Sequence, residues 1–103
     1  MTHVLAIGTL TVDPKTPQFR ATMSDEVART VSLYLRGGIE HWYARRDSNG
    51  VVFILNAKSV QEAKAALAPL PLVAKGWMTF ELIPLGPLTP LQMLANRSSV
   101  DLV

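Results

Sequence analysis

Cysteine is absent from the 103 residues, which excludes disulfides, thiolate nucleophiles and cysteine-based metal sites. Its absence also suits a reducing compartment. Histidine occurs twice, at His3 and His41, without a His-x-x-x-His or Glu-x-x-His spacing, so no metal site is expected. A glycine-rich phosphate loop is missing as well: the one glycine pair, Gly37-Gly38, reads as a helix stop, and no cofactor is expected. No serine sits in a nucleophile elbow. Charge is sparse at 17%, with ten basic and eight acidic residues, and the one adjacent basic pair, Arg45-Arg46, runs straight into Asp47. The basic stripe of a nucleic-acid surface is therefore lacking. No apolar run approaches the ~18–20 residues needed to cross a bilayer. The N-terminus, Met1 to Ile7, lacks the positive region and cleavage site of a signal peptide. The expectation is a cytoplasmic protein that meets neither nucleic acid nor membrane.

What the chain has in abundance is apolar surface: 49% of its residues are hydrophobic. A chain this short leaves much of its surface exposed, so the excess predicts a partner that hides it. His3 to Leu10 reads as the first strand. Thr11 to Met23, with Pro14 and Pro17, reads as a loop, although Phe19, Met23 and Val27 are four apart and admit a helical turn after Pro17. Ser24-Asp25-Glu26 resembles a helix start, a hydroxyl cap followed by acids in the positive-dipole turn. Val27, Val31, Tyr34 and Leu35 would then form its core stripe, and Gly37-Gly38 its end.

Ile39 to Arg46 predicts the second strand, with Asp47-Ser48-Asn49-Gly50 as a tight turn. Val51 to Leu55, apolar at every position, predicts a third strand buried on both faces. Ser59 and Glu62 have capping-box spacing for a second helix with Val60, Ala63, Ala66 and Leu67 inward, closed by Pro69 and Pro71. Trp77 to Ile83 alternates as a fourth strand, and Pro84, Pro87 and Pro90 introduce a tail in which Leu91 to Leu94 admits one helical turn.

The order β-α-β-β-α-β is that of an α+β, ferredoxin-like sandwich, placed in residues 1–87, with 88–103 as a C-terminal tail free to pack on a partner subunit. Two helices cover one face of such a sheet. An all-apolar third strand leaves the other face to be covered by a second copy, giving a dimeric α/β barrel. The expected partner is the chain itself.

Leu70-Pro71-Leu72 and Trp77 through Leu85 resemble the C-terminal half of muconolactone Δ-isomerase, as does Gly37-Gly38-Ile39-Glu40-His41, with a histidine at the matching place. Ser59 to Leu67 is similar to its second helix. Glu26-Val27-Ala28-Arg29, Leu33-Tyr34-Leu35 before glycine, an aromatic and then arginine on strand two, and Ile83 to Pro87 resemble muconolactone-isomerase-like relatives. These proteins stand beside the YCII-like domains among the dimeric α/β-barrel proteins. The resemblance spans residues 24 to 90. It implies a homodimer whose barrel binds a small organic acid or lactone, and a cofactor-free proton shift next to a carbonyl.

Strand alternation places Ile39, His41, Tyr43 and Arg45 on the barrel side of strand two, and Trp77, Thr79 and Glu81 on that side of strand four. Trp42, Ala44, Met78, Phe80 and Leu82 are left for the helix-covered core. A histidine side chain can give and take a proton, so His41 suits proton transfer, or is a barrel histidine bonded to backbone or solvent. Glu81 is a general base if desolvated, or else an edge-strand charge. Tyr43 donates to a developing enolate or packs as an interface aromatic. Arg45 grips a substrate carboxylate or stays a solvated hairpin charge. Thr79 and Trp77 complete the expected substrate-binding set. In a sheet of order 4-1-3-2, His41 and Glu81 lie ~14 Å apart across three strand spacings. A joint site therefore needs two subunits. The alternative function is a non-catalytic oligomeric binding or accessory module.

Overall fold

The computed structural model describes residues 2–88. It has a four-stranded antiparallel sheet and three helices: β1 (His3–Leu10), α1 (Pro17–Leu35), β2 (Ile39–Ala44), β3 (Gly50–Asn56), α2 (Val60–Leu67), α3 (Pro71–Ala74) and β4 (Met78–Leu85). The strand order is β2-β3-β1-β4, which is compatible with the ferredoxin-like arrangement read from the element order. Apart from Leu88, the expected tail at 88–103, with its turn at Leu91 to Leu94, lies outside the described residues.

Pleating divides the sheet into two faces. Val4, Ala6, Phe53 and Leu55 join Leu33 of α1 and Ala63 and Leu67 of α2 in one buried cluster. A second, smaller cluster joins Phe19, Leu72 and Met78. Gly8 is required where Phe80 leans over β1, because an added Cβ would stand 2.8 Å from the ring. That close approach lets Phe80 reach Phe53, their ring centres 5.8 Å apart.

α1 corrects the expected helix start. It begins at Pro17 rather than Ser24, and Ser24 is an exposed mid-helix residue. Proline at the first helical position loses no hydrogen bond, so Pro17 opens the helix instead of breaking the chain. Upstream, Asp13 folds the approach by accepting the Lys15 N–H at 2.9 Å. The helix ends as expected at Gly37, whose φ of 84° is a left-handed conformation that suits glycine. Gly38 N–H then bonds the Leu33 carbonyl and Gly37 N–H that of Tyr34.

The inward face of α1 differs too. Phe19, Glu26 and Leu33 are its buried residues, whereas Val27 is 52% and Leu35 76% exposed. The physical reason is tertiary. Glu26 Oε1 accepts the N–H of Leu72, 46 residues away, at 2.9 Å, and this bond caps the start of α3. Leu70, which precedes α3, has no side chain to cap it, so the donor comes to rest on a carboxylate from another helix. With Phe19 and Leu33 anchored in the two core clusters, the helix turns Val27 and Leu35 outward.

Pro71 therefore starts α3 rather than closing α2, which ends at Leu67 with Ala63 and Leu67 inside and Ala66 exposed. Its cap is as expected: Ser59 Oγ accepts the Glu62 N–H at 3.1 Å. At the other edge, β2 stops at Ala44 and carries an irregularity between Ile39 and His41. The extra residue, Glu40, flips Ile39 onto the helix face opposite Leu55, where it is 3% exposed. Ile39 is thus a core residue, not a barrel one.

Removing the Glu26 carboxylate should expose how far α1 and α3 depend on it. Glu26→Ala leaves a buried N–H without an acceptor and is expected to cost about 1–3 kcal/mol. Glu26→Gln keeps an acceptor for Leu72 and should cost clearly less. Urea unfolding of both variants, followed by circular dichroism, gives the comparison.

Candidate functional site

The expected site residues fall mainly on the face of the sheet opposite the described helices. Register places them in rows running across the four strands. One row is His41, Ile54, Leu5 and Ile83; the next is Tyr43, Val52, Ile7 and Glu81. The third carries Gly50, Thr9 and Thr79. The centre of this face is aliphatic and half-buried, while Tyr43 and Ile83 stand 59% and 37% exposed at its edges.

His41 and Tyr43 are brought together: two residues apart on one strand, their rings stack with centroids 6.4 Å apart. His41 also lines a hollow of about 520 Å³ with His3, Ile54 and Leu85. Glu81 and Thr79 are on the same face but on β4, the opposite edge strand. Within one chain, then, His41 and Glu81 are not brought together, in keeping with three strand spacings of ~4.8 Å.

Two expected binding residues stand elsewhere in their chemistry. Arg45 is held by Asp47 in a two-pronged contact, 2.9 Å from Nε and 2.7 Å from Nη2, and also donates to Thr9 Oγ1 at 2.7 Å. Its path crosses Gly50, where an added Cβ would lie only 3.2 Å from Arg45 Cδ and collide with the Gly8 carbonyl. The guanidinium is thus already engaged on both sides. Hydrogen bonding from Arg45 holds the Asp47 carboxyl below the ordinary aspartate range, and the same bond raises the arginine.

Trp77 corrects the alternation. β4 begins one residue later, at Met78, and Trp77 packs against the Phe19–Leu72–Met78 cluster under the Lys75 ammonium, 5.1 Å from its ring centre. Backbone bonds from Trp77 N–H to Leu72 and from Thr11 N–H to Trp77 fix it there, so it turns away from the open face. Trp42 does lie on the helix side and stacks on Tyr34 at 4.2 Å, though it remains 39% exposed.

A second cavity was not read from the residues. A cleft of about 470 Å³ lies between α1 and the β2–β3 end of the sheet, with Phe19, Met23, Trp42, Phe53 and Met78 among its walls. Among the described residues its one carboxylate is Glu26, which is 7% exposed. A signal for it was present: Phe19, Met23, Glu26, Thr30 and Leu33 repeat at helical spacing. Starting the helix at Ser24 hides that pattern, because Glu26 then looks like a first-turn acid.

No group of three or more histidine, aspartate or glutamate residues among the described residues could hold a metal ion. No helix among them is long and apolar enough to cross a membrane. No protein-family model matches the chain, and no curated protein matches its sequence.

The Arg45–Asp47 pair makes a pH prediction. Because the folded-state pKa of Asp47 is lowered, its stabilisation is present above the unfolded aspartate pKa and is lost as pH falls through the folded one. Wild-type protein should lose urea resistance over that acidic window more steeply than Asp47→Asn. Denaturation midpoints taken from neutral to acidic pH measure the difference, which is small because the pair is near the surface.

Proposed function

We propose that the chain works as a homodimer with its two sheets face to face, and that the barrel between them handles a small organic acid or lactone without a cofactor. This is the arrangement implied by its resemblance to the muconolactone-isomerase-like and YCII-like dimeric α/β-barrel proteins. One observation carries it: the sheet face opposite the helices is aliphatic at its centre, with Leu5, Ile7, Val52 and Ile54 side by side and nothing from the described residues over them.

Size and pattern both support the second copy as the cover. Four strands spaced ~4.8 Å apart and six to eight residues long present roughly 450–500 Å² in projection. With side-chain relief that approaches the ~800 Å² each partner contributes to a standard interface. The rows are also self-complementary about a two-fold axis along the strands. Such an axis sets Tyr43-Val52-Ile7-Glu81 against its own reversal, so Val52 meets Ile7 of the other copy and Tyr43 meets Glu81. A tyrosine hydroxyl donating to a carboxylate at each end satisfies the polar rim.

In that dimer His41, Tyr43 and a second-copy Glu81 line one end of the barrel. A proton shift beside a carbonyl then needs His41 or Glu81 as base and Tyr43 to donate to the enolate oxygen. Thr79 adds a further polar group on that face, and Arg45 would steer a carboxylate only by leaving Asp47. The engagement of Arg45 favours the second reading, a non-catalytic oligomeric binding or accessory module.

Sedimentation velocity should give a dimer for the wild type and a folded monomer for Val52→Lys, which places a charge at the centre of the contact. A monomeric wild type at micromolar concentration defeats the dimer. For the chemistry, an unsaturated lactone is incubated with the protein in D2O and hydrogen exchange beside its carbonyl is followed by NMR. Acceleration that disappears in His41→Ala and Glu81→Gln supports catalysis. No acceleration over buffer leaves the accessory reading.

A further inference from the structure

The cleft under α1 lies on the other face of the sheet from the dimer contact, and its chemistry is unlike that of the barrel. Among the described residues no lysine, arginine or histidine lines it, and the one carboxylate among them projects among aromatic and aliphatic side chains. Its volume, about 470 Å³, is within the range of roughly 300–1,000 Å³ usual for small-molecule sites.

The two oxygens of Glu26 are not equally satisfied. Oε1 holds the Leu72 N–H at 2.9 Å. Oε2 has a 3.4 Å contact with Thr30 Oγ1, and that same hydroxyl lies 2.8 Å from the Glu26 main-chain carbonyl. A hydroxyl carries one hydrogen, and the shorter, better contact takes it. Oε2 is therefore left with only a long, shared donor, on a residue that lines the cleft and is only 7% exposed. A buried carboxylate oxygen in that state is costly unless a donor is brought to it.

We propose that the cleft binds a small, neutral, ring-bearing organic molecule that donates one hydroxyl or N–H to Glu26 Oε2. The ring packs against Trp42, Phe53 and the Met23 and Met78 thioethers, which adapt to the shape presented. Neutrality follows from charge: an anionic ligand would meet Glu26 with no cation in the lining to offset the repulsion. Tyr43 borders both the cleft and the barrel, but the cleft opens on the helix side of the sheet, so the two stand or fall on different measurements.

The probes are 2-naphthol and 2-naphthoate, which share a ring and differ in donor and charge. In two-dimensional amide NMR of the full chain, 2-naphthol should shift the Trp42 indole and Thr30 amide signals. 2-Naphthoate should bind at least tenfold more weakly. Glu26→Gln keeps an oxygen for Leu72 and replaces the free acceptor with a donor, so the preference for naphthol should fall at least tenfold. Met23→Trp, which fills the cleft, should abolish the naphthol shifts independently. The proposal is overturned if 2-naphthol leaves these signals in place or if wild type binds both probes equally. It also fails if the preference survives Glu26→Gln, or if the shifts survive Met23→Trp.

Discussion

The bond between Leu72 N–H and Glu26 Oε1 joins two helices that otherwise meet through the packing of Phe19 on Leu72. α3 is a single turn, too short to hold itself, and its start has no local cap. Glu26 supplies that cap from the middle of α1. In doing so it sets the rotation of the long helix about its axis, with Phe19 and Leu33 buried a turn or two to either side. The cleft under α1 follows from the same constraint. A helix whose inward face carries a carboxylate and a threonine at its centre cannot close fully onto apolar β3, so space remains beside Val51 and Phe53.

The sheet carries a different tension. One of its faces is satisfied by α1 and α2 through Val4, Ala6 and Leu55, each at most 1% exposed. The other has side chains just as aliphatic at its centre and, among the described residues, no helix over them. Apolar burial contributes roughly 25 cal/mol per Å², so covering a face of this size is a substantial driving force for association. The proposed dimer and the proposed ligand cleft thus arise from opposite faces of one sheet. One face is short of cover, and the other is covered imperfectly because a polar residue was needed for a cap.

Signals that act over a few residues were legible. The Ser59 cap, the Gly37 stop and the alternation of β1 all act within a turn or a strand, and each appears where its pattern implies, whereas the expected tight Asn49-Gly50 turn does not form: Gly50 begins β3 and neither residue takes a positive φ. Errors arose where a local signal has two structural meanings. Proline opens helices as well as breaking chains, which moved the start of α1 to Pro17 and created α3 at Pro71. Glu26 after a serine looks like a dipole-turn acid, yet here it is a buried cap. A bulge at Glu40 has no signature in a strand pattern, and it moved Ile39 from the open face to the core. Of the site residues, His41, Tyr43, Thr79 and Glu81 were placed on their face by alternation alone, while Trp77 lies before the strand that alternation assumed.

By itself the sequence determined the number and order of the strands, the strand order in the sheet and an excess of apolar surface, because period-two patterning and turn chemistry are properties of short segments. Tertiary structure alone decided which face of α1 looks inward, where Arg45 is engaged and that a cleft opens beside Glu26. Each of those depends on an atom far away in the chain: the Leu72 N–H for Glu26, Thr9 for Arg45, and the β2–β3 end of the sheet for the cleft. No local pattern encodes a bond across 46 residues; it exists only once the sheet has brought its ends together.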